Sequence, residues 1–94
     1  MTDPPNWPFP AWEGLPIILT YHGAQRADAL GLNIHDIAAI LEGGEDCEED
    51  PRKRGVRERC ARWRGQTLRV IVSREPSGWV NGEDAWIVIN VKPV

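Results

Sequence analysis

His22 and Arg26 are the two residues whose types and spacing most directly suggest chemistry. They are four positions apart, so on a helix they lie one turn apart on the same face and can converge on one anion. An imidazole exchanges a proton near neutral pH, and a guanidinium stabilises negative charge that develops on a substrate. In the structural alternative, which the frequency of charged pairs on helix surfaces favours, His22 caps the helix and Arg26 pairs with a carboxylate of the next helix.

A strongly basic segment lies further along the chain. Between Pro51 and Arg74 there are nine Lys or Arg residues and one acidic residue, Glu58. Such a concentration of cations predicts that any affinity for nucleic acid resides here and falls steeply with salt. The candidate nucleic-acid-binding residues are Arg57, Arg59, Arg62, Trp63, Arg64 and Arg69.

Strand alternation within the basic segment argues against a single binding groove. Arg57 and Arg59 share one parity, whereas Arg62 and Arg64 share the other. Trp63 could stack on a base between its flanking cations. The alternation favours a different arrangement, in which Trp63 points toward the core and its neighbouring arginines point to solvent.

An acidic segment that precedes the basic one weakens the case for RNA. Six of the nine residues from Glu42 to Asp50 are acidic, which predicts a solvated, mobile loop. Residues 45–50 could fold back on the basic segment and neutralise it. The whole chain carries a formal net charge of −3, whereas nucleic-acid-binding domains are usually basic.

Cys47 and Cys60 are predicted to be free thiols, because two cysteines outside a C-x-x-C pair do not form a disulfide scaffold. The two histidines and two cysteines show no short ligand spacing, so we expect no metal and no cofactor. His35 is expected at the surface. The N-terminus lacks the pattern of a secretory signal and no apolar run approaches the roughly 18 residues of a membrane span, which predicts a cytoplasmic protein that does not bind membranes.

Apolar periodicity predicts two helices and four strands. In chain order the elements are strand 15–21, helices 22–30 and 33–43, and strands 56–63, 67–73 and 85–91. Asn33 and Asp36 have the spacing of a capping box at the start of the second helix. A tight turn at 64–66 joins two strands into a hairpin, and a longer turn around Trp79 precedes the last strand, which we place centrally.

The β-α-α-β-β-β order predicts an α+β fold with a mainly antiparallel four-stranded sheet and both helices on one face. The apolar residues expected to be largely buried are Leu68, Val70, Val72, Ile87 and Ile89. Residues 1–14 are rich in Pro and Trp and are expected to form an arm ahead of a single domain over 15–94. Its aromatic residues Trp7, Phe9 and Trp12 should be buried against the domain or against a partner.

Several short segments carry a resemblance to a known family. The run 19–26, which reads LTYHGAQR, is followed by Gly31-Leu32-Asn33 and Asp36-Ile37, and together they resemble a small bacterial family with a His-Ala-x-x-Arg signature that is related to RelE-like and BrnT-like toxins. The strands 66–72 and 87–91 are similar to later strands of that family, so the likeness spans roughly 17–92. Gly23 stands where the family often has Ala, and Leu30 replaces its second Arg.

This resemblance implies a RelE/BrnT-like fold and, because several relatives are toxins that cleave mRNA, a metal-independent endoribonuclease of toxin–antitoxin type. His22 and Arg26 would then act on the phosphodiester. The other hypothesis, which the net charge favours slightly, is a non-catalytic module that binds nucleic acid or protein. The candidate partners are RNA, an antitoxin or another protein recruited through the aromatic arm or a sheet edge. The sequence leaves the oligomeric state open.

Overall fold

The computed structural model describes residues 10–47, 55–80 and 83–94 and shows an α+β fold of two helices and a six-stranded mixed sheet. The strands are β1 (Ala11–Trp12), β2 (Leu15–Leu19), β3 (Glu45–Asp46), β4 (Val56–Trp63), β5 (Gln66–Val80) and β6 (Glu83–Pro93), and the helices are α1 (Tyr21–Ala29) and α2 (Ile34–Gly43). No helix in these described ranges has the length and apolar composition needed to cross a membrane.

The sheet is mainly antiparallel, as expected, but has six strands in place of the expected four. Its order is β1-β2-β6-β5-β4-β3, with β6 in the interior as expected, and β2 pairs with β6 in parallel. The two additional strands, β1 and β3, are two residues long and lie at the two edges. The prediction of four strands was wrong because a two-residue strand is too short to show alternation in the sequence.

The β4–β5 hairpin follows the sequence prediction closely. Arg64 and Gly65 form its two-residue turn with φ of 51° and 88°. Positive φ at both central positions matches the right-handed twist of the flanking strands. The longer turn expected around Trp79 was wrong in extent, because the backbone of β5 continues as strand through Val80 and pairs Val80 with Glu83.

The core lies between one face of the sheet and the two helices. Leu68, Val70 and Val72 alternate along β5 and are fully buried against residues of both helices, including Ala27 and Ile37. Ile87 is also buried, but Ile89 is 38% exposed and its predicted burial was wrong. A register shift pairs Ile71 with Asn90 and Val72 with Val88, so that Ile89 is the extra residue of a β-bulge.

Helix α1 begins one residue earlier than predicted and is anchored to the sheet at its first turn. The side chain of Thr20 caps the helix by accepting from Gly23 N at 2.9 Å, and its hydroxyl donates to Val88 O at 2.8 Å. The helix stops at Leu30, and Gly31 follows with φ of 72°. This left-handed conformation favours glycine, as the sequence indicated.

The capping box predicted for α2 is confirmed. Asp36 N donates to Asn33 Oδ1 at 2.9 Å, and Asn33 N donates to Asp36 Oδ2 at 3.0 Å. Each side chain therefore satisfies a backbone N–H that the helix itself leaves without a partner.

Replacing Asn33 by alanine is expected to lower the free energy of unfolding by about 1 kcal/mol, because the first turn of α2 loses its acceptor for Asp36 N. Urea denaturation followed by circular dichroism measures the change. His35→Ala is the matched control, since His35 lies exposed in the same turn. An equal loss in both variants would contradict the capping role.

The described end of the N-terminal arm packs into the fold. Trp12 is 3% exposed and belongs to the core, as the burial prediction required, and Ile17 N donates to Pro10 O at 2.9 Å. Trp7 and Phe9 lie outside the described residues. Trp12 lies on edge strand β1, and its ring contacts Arg57 of β4.

Candidate functional site

Arg57 and Arg59 project from the helix-covered face of β4. Arg57 lies opposite Val72 and Arg59 opposite Val70 in the antiparallel register, and both valines belong to the core. Arg62 has the other parity and is exposed. The prediction that these arginines do not line one face is therefore confirmed, and Arg57 and Arg59 form a separate pair.

The ring of Trp12 lies beneath both guanidinium groups of this pair. Arg57 Cζ is 4.5 Å from the Trp12 ring centroid and Arg59 Cζ is 5.4 Å from it. Trp86 packs behind Trp12 with 5.1 Å between ring centroids and lies 6.0 Å from Arg57 Cζ. Cation–π attraction thus holds two like charges side by side.

Two carboxylates compensate these charges. Arg57 Nη1 donates to Glu13 Oε1 at 2.6 Å and Arg57 Nη2 to Asp46 Oδ1 at 3.2 Å. Arg59 Nη1 donates to the same Asp46 oxygen at 3.0 Å. One oxygen of Asp46 therefore bridges both arginines. We call the group formed by Arg57, Arg59 and Trp12 the arginine pair site. Asp46 itself remains largely exposed, with 69% of its side chain accessible.

The ionisation of Asp46 reflects these contacts. Hydrogen bonds from Arg59 and then from Arg57 hold the pKa of Asp46 below its usual 3.8. Burial alone would lower the pKa of Arg57, but its hydrogen bonds to Glu13 and Asp46 raise it above the ordinary value. Because the pKa of Asp46 is lowered by folding, its contribution to stability is present above pH 3.8 and is lost as pH falls through the lowered value.

Arg59 has a second, structural task at the end of α2. Its Nε donates to Leu41 O at 3.2 Å and its Nη2 donates to Gly44 O. These carbonyls at the C-terminus of a helix attract a cation. Gly44 also lies directly on β4, since an added Cβ would be 2.7 Å from Cys60 O. Arg59 therefore ties the end of α2 to the strand, whereas Arg57 bonds to side chains alone among its described contacts.

The two cysteines form a disulfide, so the prediction of free thiols was wrong. Cys47 and Cys60 are joined across β3 and β4, with 5.5 Å between their Cα atoms. The pairing of Glu45 with Cys60 and the hydrogen bond from Cys47 N to Glu58 O bring the sulfurs together. The expected solvated loop over 42–50 is correspondingly wrong at Glu45–Asp46, which form β3, while 48–50 lie outside the described residues.

A shallow depression of about 450 Å³ runs beside the disulfide. Both cysteines line it, together with Glu45, Asp46 and Arg69. The half-buried bridge is therefore open to small solutes from this side.

The tip of the hairpin carries two further arginines. Trp63 packs against the core, and Arg64 Cζ lies 5.8 Å from the Trp63 ring. Arg62 and Arg64 are exposed. The interpretation that Trp63 points inward, rather than offering its face to a base, is confirmed.

Two other arginines of the hairpin pair with acids. Arg69 Nη1 lies 3.3 Å from Glu58 Oε1, and their side chains are 12% and 13% exposed. Arg74 Nη2 lies 3.0 Å from Asp84 Oδ2. Four of the six arginines in the described part of the hairpin thus face carboxylates, because Arg57 and Arg59 do so as well.

His22 and Arg26 are exposed on α1, which packs over β2 and β6. The suggested capping role of His22 was wrong, because Thr20 is the N-cap. Within the described ranges, Arg26 forms no ion pair with α2, contrary to the structural alternative.

The chain has no match among protein-family models, curated proteins or solved structures. The arginine pair site therefore has to be interpreted from its own geometry.

Sequence reasoning missed Trp12, Glu13 and the disulfide as parts of this site. Glu13 lies 44 positions from Arg57, and the contact depends on β1, which the sequence did not predict. One signal was available: the acidic segment directly precedes the strongly basic one. The possibility that it folds back on the hairpin is confirmed at Asp46.

Proposed function

We propose that this chain is a non-catalytic binding module with the RelE/BrnT-like fold it resembles, and that its ligand is an acidic extended segment of a partner protein. The observation that carries the proposal is the position of Asp46, whose single oxygen lies 3.2 Å from Arg57 Nη2 and 3.0 Å from Arg59 Nη1. A carboxylate on a short edge strand already occupies the arginine pair site. An acidic strand from another protein would make the same contacts.

The energetics favour exchange of this internal carboxylate. Exposed ion pairs contribute roughly 0–1 kcal/mol each, and 69% of the Asp46 side chain is accessible. Both arginines also have contacts that do not involve Asp46: each lies over the ring of Trp12, and Arg57 bonds to Glu13. The site is therefore preorganised for a carboxylate, which lowers the entropic cost of binding one.

The edge of β4 can add backbone pairing to this recognition. Strand β3 covers only Arg59 and Cys60, so in the described part of the chain Ala61, Arg62 and Trp63 have a strand partner on the β5 side alone. An incoming strand would pair with the backbone along this edge. Every second side chain of that strand would then lie on the face of the sheet from which Arg57 and Arg59 project.

RNA fits this surface less well than an acidic peptide. Four of the six described hairpin arginines have carboxylate partners, which leaves Arg62 and Arg64 without one among the described residues. Affinity for a nucleic acid depends on the number of phosphates neutralised, and in the described part of the hairpin only these two arginines could bind phosphate without displacing a carboxylate.

We expect a glutamate peptide of about eight residues to bind more tightly than an oligouridine of the same length, and Arg57→Gln to weaken peptide binding about tenfold. Titrations followed by tryptophan fluorescence measure both. The Asp46→Asn protein is measured beside the unmodified chain, because Asp46 competes for the site. Arg26→Gln is the matched control, since it removes one exposed cation from α1, which packs over β2 and β6.

Two results would overturn this function. Equal peptide binding by the Arg57→Gln and Arg26→Gln proteins would exclude the arginine pair site. Cleavage of the oligouridine that persists with a chelator and is lost in His22→Ala would instead establish the metal-independent endoribonuclease alternative, in which His22 and Arg26 act on the phosphodiester.

A further inference from the structure

We propose that the Cys47–Cys60 disulfide is a redox-controlled latch that holds β3 over the arginine pair site, so that reduction opens the site to an acidic partner. This inference rests on the proposed function, of which it names the regulation. The bridge joins Cys47, directly after β3, to Cys60 on β4. Asp46, the residue that blocks the arginines, is next to the cross-link.

Apart from the disulfide, β3 is held by polar contacts: Arg57 and Arg59 bond to Asp46, and Arg59 also donates to the carbonyl of Gly44 just before the strand. The strand is two residues long, with Glu45 opposite Cys60 and Asp46 opposite Arg59. One further backbone bond runs from Cys47 N to Glu58 O at 3.1 Å. Both residues of β3 are exposed, so no apolar burial anchors the strand. The disulfide is therefore the cross-link on an edge segment that polar contacts alone otherwise hold against β4.

The cross-link raises the effective concentration of Asp46 at the arginines. A group tethered within a short distance of its site competes as if it were present at high concentration, and a longer tether reduces that competition. In the oxidised protein Asp46 is fixed one residue from the bridge. In the reduced protein β3 can leave the edge, and both Arg57 and Arg59 lose their shared carboxylate.

Reduction of the Cys47–Cys60 disulfide requires a dithiol. A thiolate of the dithiol attacks one sulfur of the bridge, and the electron pair of the broken S–S bond stays on the other sulfur, which takes up a proton. The second thiol of the reductant then displaces the first cysteine and closes a disulfide within the reductant. The chain gains two electrons and two protons. The depression of about 450 Å³ beside both sulfurs gives a small dithiol access.

A disulfide that forms where thiols are otherwise kept reduced is usually transient or redox-sensing. A bridge in an exposed edge segment, rather than in the core, can open while the β5–β6 centre of the sheet stays folded.

The experiment has one arm that does not depend on any partner. Amide hydrogen exchange is measured on the full chain with and without dithiothreitol. Reduction should remove the protection of the Cys47 amide and leave the amides of Val70 and Val72 protected. Unchanged protection of Cys47 would overturn the latch, and loss of protection throughout the sheet would show that the bridge holds the fold rather than β3.

The second arm measures binding of the glutamate peptide. We expect dithiothreitol to tighten binding by the unmodified chain about tenfold, and Asp46→Asn to do so without reduction. Glu45→Gln is the control, because Glu45 lies on the opposite face of β3 and its loss should leave binding unchanged. Because Asp46→Asn keeps the disulfide, it tests the blocking role even where a cysteine variant fails to fold.

The two proposals fail in distinguishable ways. Suppose that reduction removes the exchange protection of the Cys47 amide but the peptide binds in neither redox state. The proposed function would then be refuted, while the release of β3 by reduction would stand. Peptide binding that is equally tight in oxidised, reduced and Asp46→Asn proteins would confirm the site and refute the latch.

Discussion

Replacing Gly23 by alanine is expected to lower the free energy of unfolding by about 3 kcal/mol. A Cβ at this position would lie 2.3 Å from Val88 O and 3.1 Å from Thr20 Oγ1. The backbone oxygen of an interior strand cannot move aside, so α1 would have to shift away from β6. The shift would break the hydrogen bond of Thr20 Oγ1 to Val88 O and weaken the cap of the helix.

The sign of this effect opposes helix propensity, which favours alanine over glycine by up to about 1 kcal/mol. Gly43→Ala is therefore the matched control, because Gly43 lies in α2 with no atom within 4 Å of an added Cβ. Thermal unfolding should show a melting temperature roughly 10–20 °C lower for Gly23→Ala and an unchanged or higher one for Gly43→Ala. A Gly23→Ala protein as stable as the unmodified chain would disprove the close packing of α1 on Val88.

Gly23 also bears on the family resemblance. The resembling bacterial family often has alanine beside its histidine, and here the contact with Val88 O leaves no space for that side chain. The relationship to RelE-like and BrnT-like proteins stays a prediction. Of the two neighbouring motif residues in this chain, Gly23 has a clear structural role in the packing of α1 on Val88, whereas His22 is exposed.

The sequence predicted correctly the long helices and strands and the ends that neighbouring residues define. The capping box at Asn33 and the turn at Arg64-Gly65 depend on neighbouring residues, so the sequence was sufficient for both. The bulge at Ile89 was not predictable in this way. It depends on how β6 aligns with β5, and alternation along one strand carries no information about the register of its partner.

The candidate site was less predictable than the fold, because its members come from distant segments. Strand parity separated Arg57 and Arg59 from Arg62, but it did not indicate what the pair contacts. Trp12 and Glu13 reach Arg57 through β1, and Asp46 reaches it through β3. The disulfide was missed for the same reason, since only the pairing of β3 with β4 brings Cys47 to Cys60.

The pair of Trp12 and Trp86, whose ring planes are tilted by 44°, connects the core to the arginine pair site. Trp86 is 4% exposed, and its Nε1 donates to Trp12 O at 3.0 Å across 74 positions of sequence. The ring of Trp12 in turn lies beneath the guanidinium group of Arg57. Loss of the Trp86 side chain would leave a cavity behind Trp12 and release β1, which leads directly into Glu13.

Trp86→Ala is expected to lower the free energy of unfolding by roughly 3–5 kcal/mol, the usual cost of removing a buried tryptophan. Because a small domain can unfold at that cost, Trp86→Phe provides a milder test, with an expected loss of about 1–2 kcal/mol. The phenylalanine keeps an aromatic ring against Trp12 but leaves Trp12 O without its buried donor. Urea denaturation followed by far-ultraviolet circular dichroism measures both variants.

Trp63→Phe is the control for Trp86→Phe. It makes the same change in ring size but removes no hydrogen bond to a described residue. Trp63 Nε1 is buried and has no hydrogen-bond partner in the described part of the chain, so Trp63→Phe removes a donor that contributes nothing. Its stability should change by less than about 0.5 kcal/mol, or rise, because burying an unsatisfied N–H is unfavourable. If Trp63→Phe costs as much as Trp86→Phe, the bond to Trp12 O is not what holds β1 and its carboxylate beside the arginines.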